Sequence, residues 1–96
     1  MNEELETILE LNECLLADGF NDAIIGISQC ENPKAVYSIK KCIDKLIERD
    51  GMSKDEAIEF FSFNVSGSYM GEKTPIFITL KEEIIWMEDL DGQIKL

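Results

Sequence analysis

The chain has 96 residues, with 20 acidic against 9 basic side chains, a net charge of −11, 45% hydrophobic residues and 30% charged ones. That is enough apolar material for one core in one domain, which argues against general disorder, while the negative field argues against direct binding of a phosphate backbone. No apolar run approaches the roughly 18 residues of a membrane span, and Met1-Asn2-Glu3-Glu4 is acidic where a signal peptide is basic, so a cytosolic protein with no membrane partner is expected.

The first element in chain order is a helix from Glu3 to Leu16, closed by Ala17-Asp18-Gly19. Leu5, Ile8, Leu9, Leu11, Leu15 and Leu16 recur at helical spacing, opposite a carboxylate face of Glu3, Glu6, Glu10 and Glu13. Ala23 to Ser28 and Ala35 to Tyr37 read as two strands of a hairpin around Glu31-Asn32-Pro33, with Gly26 marking a bulge or a close approach. Ser38 then caps the clearest helix of the chain, in which Ile39, Cys42, Ile43, Leu46 and Ile47 keep the 3.6-residue period up to Asp50-Gly51.

A capping box at Ser53-Lys54-Asp55-Glu56 starts a third helix. Ala57, Ile58, Phe60, Phe61 and Val65 give it a broad apolar face and Phe63 lies on another side, so a central helix packed on two flanks is expected. A loop from Ser66 to Pro75 precedes a strand at Ile76 to Leu80, and the tail from Glu83 reads as a hairpin about Asp91-Gly92, with Glu88 opposite Lys95. The expected fold is α+β: three helices on one side of a small, mainly antiparallel sheet, in a single domain. It divides into an acidic helix over 1–17, a core over 18–80 and a hairpin extension over 81–96.

Charge follows the same division. Residues 1–22 hold seven acids and no base, residues 23–81 balance eight against eight, and residues 82–96 hold five acids and Lys95. Terminal acidity of this kind steers a basic protein surface toward the chain.

Catalytic and metal chemistry find little support. With no histidine, the commonest general base and zinc ligand are missing, and the carboxylates of the first helix read as a solvated face. Cys14, Cys30 and Cys42 are odd in number and widely spaced, as reduced thiols rather than a disulfide framework or metal site. Gly71-Glu72-Lys73-Thr74 fails as a phosphate loop, because Lys does not follow Gly directly and Pro75 leads into a strand instead of a helix. Asp89-Leu90-Asp91-Gly92 lacks the further oxygen ligands of a calcium loop. No catalytic residue, metal or cofactor is expected.

Two loops rich in small, polar and aromatic residues remain, over 18–22 and 64–75. They supply the candidate binding residues Asp18, Phe20, Asp22, Asn64, Tyr69, Glu72 and Thr74, with Glu3, Glu6, Glu10 and Glu13 as a candidate acidic partner face. Capping and turn chemistry account for the same residues without a ligand.

The blocks Asp18-Gly19-Phe20-x-Asp22-Ala23-Ile24-Ile25-Gly26, Glu48-Arg49-Asp50-Gly51-Met52-Ser53-x-x-Glu56-Ala57 and Phe63-Asn64-Val65-x-Gly67-x-Tyr69-x-Gly71-Glu72-x-Thr74-Pro75-Ile76-Phe77 resemble a family of small bacteriophage and prophage proteins. The likeness spans about residues 18–78 and leaves both acidic ends outside it. It implies a phage origin and a bacterial cytoplasm, and no activity. Two functions stay open. One is an accessory protein that binds and inhibits or modulates a bacterial host protein with a basic surface, such as a defence or nucleic-acid-processing protein. The other is a small-ligand binder, for a nucleotide-like molecule, using the two loops, with Lys40, Lys41 or Lys73 needed for a charged anion. Exposed sheet edges and the apolar side of the first helix also fit a homodimer.

Overall fold

A computed structural model describes residues 3–65 and 71–84. The fold is α+β, with three helices and a three-stranded sheet among the described residues. Helix α1 (Glu3–Leu11) is followed by a 3₁₀ turn (Asn21–Ala23), strands β1 (Ile24–Ile27) and β2 (Ala35–Ser38), helices α2 (Ile39–Asp50) and α3 (Lys54–Asn64), strand β3 (Ile76–Ile78) and a second 3₁₀ turn (Lys81–Glu83). In the sheet order β1-β2-β3, β1 and β2 run antiparallel and β3 joins β2 in parallel. A parallel partner requires a crossover, and α2 and α3 together provide it.

The local chemistry of α2 and α3 follows the sequence closely. Ser38 Oγ accepts the Lys41 amide at 3.1 Å, and Gly51, left-handed at φ 69°, returns its amide to the Ile47 carbonyl at 3.1 Å. Both arms of the Ser53–Glu56 capping box form, at 3.0 and 3.2 Å. The fully buried Ser38 also donates to the Glu83 carboxylate at 2.9 and 3.0 Å, while Glu83 accepts the Leu80 amide at 3.1 Å. Glu83, expected to open a hairpin, therefore closes a 3₁₀ turn against the start of α2. Residues 85–96, which hold the rest of that expected hairpin, lie outside the described residues.

Helix α1 stops at Leu11 instead of running on to Leu16. Glu13 takes a left-handed φ of 54°, the Cys14 amide bonds back to the Leu9 carbonyl and the Glu13 amide to the Glu10 carbonyl, both at 3.0 Å. This is the Schellman arrangement with a glutamate where glycine is usual. A Cβ in that conformation is strained, and Glu13→Gly is expected to stabilise the fold by about 0.5–1 kcal/mol after the glycine's own entropy is charged. A chemical denaturation midpoint that falls in this variant would contradict that account.

One core holds residues from every layer: Leu9 of α1, Ala35 and Tyr37 of β2, Cys42, Ile43 and Leu46 of α2, and Ala57, Ile58 and Phe61 of α3. Helix α2, not α3, is the hub, since it touches β2, α3 and the first 3₁₀ turn. Helix α3 is buried along one flank only, and its second flank leaves Phe60 and Phe63 exposed. Ile8 and Leu11 of α1 are likewise exposed. The register of β1 slips between Ile24 and Gly26, so Gly26 marks a bulge, with open space beside it instead of a close neighbour. All three cysteines are free thiols, and burial pushes Cys42 up to about 12.

Candidate functional site

The chain between α1 and β1 is held by two polar tethers, one to β2 and one to the last turn of α2. The backbone amide of Ala17 donates to the Tyr37 hydroxyl at 2.7 Å. Arg49, in the last turn of α2, donates from Nη1 to the Gly19 carbonyl at 2.7 Å, and its Nε and Nη2 grip the Asp50 carboxylate at 3.1 and 3.0 Å. Its guanidinium lies 5.5 Å from the centroid of the Phe20 ring, within cation–π range. Gly19 is left-handed at φ 87°, and a Cβ there would meet Arg49 Nη1 at 2.9 Å. The close approach of guanidinium to backbone thus depends on glycine at this turn.

These tethers leave a groove of about 410 Å³ between the loop and α3. Leu16, Ala17, Asp18 and Phe20 form one wall, Phe60, Asn64 and Val65 the other, and Pro75 and Phe77 complete it, with Arg49 at its polar side. A second depression, of about 370 Å³, lies across α3, where Met52, Glu56, Glu59 and Phe63 line it together with the same Phe60 and Asn64.

Of the residues expected to bind, Asp18, Phe20 and Asn64 meet in the groove. Phe20 belongs mainly to the core at 5% exposure, and Asn64 Nδ2 donates to the Phe60 carbonyl of its own helix at 3.1 Å. Asp22 is turned to Lys45, whose ammonium donates to its carboxylate at 2.6 Å. Thr74 Oγ1 closes a turn onto the Gly71 carbonyl at 2.7 Å, and neither Thr74 nor the exposed Glu72 lines the groove. Tyr69 lies outside the described residues. Glu3, Glu6, Glu10 and Glu13 are all exposed, but only the first three belong to α1. Among the described residues, no group of carboxylates and thiols is arranged to hold a metal, and no helix is long and apolar enough to cross a membrane.

Sequence reasoning passed over Arg49, because a basic residue late in a helix reads as a solvated partner of the helix dipole. Its available signal was the neighbouring Asp50-Gly51 stop, which places the side chain at a helix end, where it can reach another loop.

Three exposed carboxylates are held below their ordinary range: Asp22 by the hydrogen bond from Lys45, Asp50 by that from Arg49, and Glu56 by the Ser53 amide. A lowered folded-state pKa adds stability above the unfolded chain's value and loses it as pH falls through the folded value. Acid destabilisation is therefore expected below about pH 4. Relief of the chain's self-repulsion works against it, so the measurement is the denaturation midpoint against pH for Asp22→Asn beside the parent. The variant should lose less stability on acidification, and parallel curves would remove Asp22 from the account.

The chain matches no protein-family model, no curated protein and no solved structure.

Proposed function

We propose that this protein is a bacteriophage accessory protein that acts by binding, not catalysis, and docks a host protein in the groove between the 16–20 loop and α3. The observation that carries this reading is the meeting of the 16–20 loop with the end of α3 and Pro75 in one largely apolar groove, with the exposed Phe60 in its lining and the exposed Phe63 in the adjoining depression. Exposed aromatic side chains around a concavity are the usual makings of a binding hot spot. The phage-like blocks over about residues 18–78 support a phage origin and a bacterial cytoplasm, and the acidic ends support a partner with a basic surface that is drawn in over a distance.

A photoreactive phenylalanine analogue at Phe63 tests it in bacterial lysate, with the same analogue at the exposed Lys41, outside the groove, as control. One dominant crosslink from position 63 and none from 41 is expected. Equal crosslinking from both positions would remove the groove from the account.

The groove's volume favours a second reading, a small-ligand binder, because about 410 Å³ falls within the range of ligand pockets and Asp18, Arg49 and Asn64 supply polar groups at its edge. A thermal-shift panel of nucleotides and nucleosides tests it, together with mass spectrometry of natively purified protein. A flat panel and an empty spectrum would sink it.

A further inference from the structure

The two depressions on α3 share Phe60 and Asn64 in their linings, so they adjoin at Phe60 and together make up a trough across α3. Phe63 is 78% exposed and Phe60 39%. Carboxylates line both parts, Asp18 in the first depression and Glu56 and Glu59 in the second. Among the described residues the one cation lining the trough, Arg49, is already paired with Asp50.

We infer that the occupant of this trough is a basic amphipathic helix of the partner protein, lying across α3 with one apolar side chain on each side of Phe60. This inference rests on the docking reading above and names the partner's chemistry. Neighbours three or four residues apart on a helix stand about 5–6 Å from each other, the spacing needed to straddle a single ring. Lysine or arginine on the flanks of such a helix meets Asp18 in the first depression and Glu59 in the second. Charge disfavours the other occupants. A second copy carries the same net charge of −11, and anionic lipid or nucleic acid meets the same repulsion. The wall shared by both depressions is made of α3 side chains, not a strand edge, which suits helix-in-groove docking better than strand addition.

Three labelled peptides test the inference by fluorescence anisotropy on the full chain: a leucine–lysine peptide patterned as an amphipathic helix, the same composition scrambled to destroy the apolar face, and a leucine–glutamate version. The patterned basic peptide should bind at least roughly tenfold tighter than its scramble, and the acidic one should not bind. Phe63→Ser and Glu59→Lys should each weaken binding several-fold at an unchanged melting temperature, since both residues are exposed. A combined Glu3→Gln, Glu6→Gln, Glu10→Gln variant should alter the association rate more than the affinity. Equal binding of the scramble, or loss of binding in the α1 variant alone, would overturn the inference. Lysate crosslinking from position 63 separates the two levels. A crosslinked partner segment that is acidic or extended refutes the basic helix and leaves the docking reading standing, whereas no crosslink refutes both.

Discussion

Phe61→Ala is expected to lower stability by about 3–5 kcal/mol, which for a chain of this size is a large share of the whole. Phe61 is 1% exposed and meets the Phe77 ring edge-on, with centroids 5.3 Å apart at 85°. Truncation removes a buried ring and leaves a cavity where α3, β3 and the core meet, with little freedom to collapse because Phe77 is also packed against Tyr37, with centroids 5.2 Å apart and the rings tilted by 33°. The informative control is Phe63→Ala, two residues further along the same helix. Being 78% exposed, Phe63 should cost no more than about 0.5 kcal/mol. Urea denaturation of both variants decides the matter, and similar losses at the two positions would mean that α3 is not packed on one flank only.

Tyr37→Phe should cost about 1–3 kcal/mol although it removes a single oxygen. The ring keeps its place against Phe77, so no cavity opens. The loss falls on the part-buried Ala17 amide, which donates to the Tyr37 hydroxyl at 2.7 Å and would be left without that acceptor. Because Ala17 belongs to the loop that forms one wall of the groove, the effect should reach binding as well as folding. Hydrogen exchange at the Ala17 amide should accelerate more than at the centre of α2. An unchanged exchange rate there, with stability within about 0.5 kcal/mol of the parent, would refute the tether.

How far the sequence could be read depended on the range of the interaction. The caps of α2 and α3 are local bargains between residues three or four apart, and Ser38, Ser53 and Glu56 form them as their spacing implied. The end of α1 was hidden because Glu13 adopts a conformation that its side chain disfavours, so the apolar period running on through Leu15 and Leu16 pointed to a longer helix. Phe60, on the broad apolar face of α3, and Phe63, on another side, were both read as packed, since periodicity reports that a face is apolar and not what covers it. The two candidate loops stood out in the sequence by their chemistry. The groove between the first of them and α3 did not, because it depends on Arg49 and Tyr37 reaching across some 20 to 30 residues of chain to carbonyl and amide groups that no motif marks.

The parallel entry of β3 carries a kinetic consequence. Strand β1 finds β2 through a short turn, but β3 pairs with β2 only after both helices have been laid down between them, so its closure costs the most chain entropy and should come late in folding. Phe77 lies on β3 and lines the groove, and it also touches Tyr37 and Phe61. The groove is thus assembled with β3. A transient opening of that strand would dissolve the groove while the β1–β2 hairpin and α2 stay folded, so partner affinity and the local stability of β3 should rise and fall together.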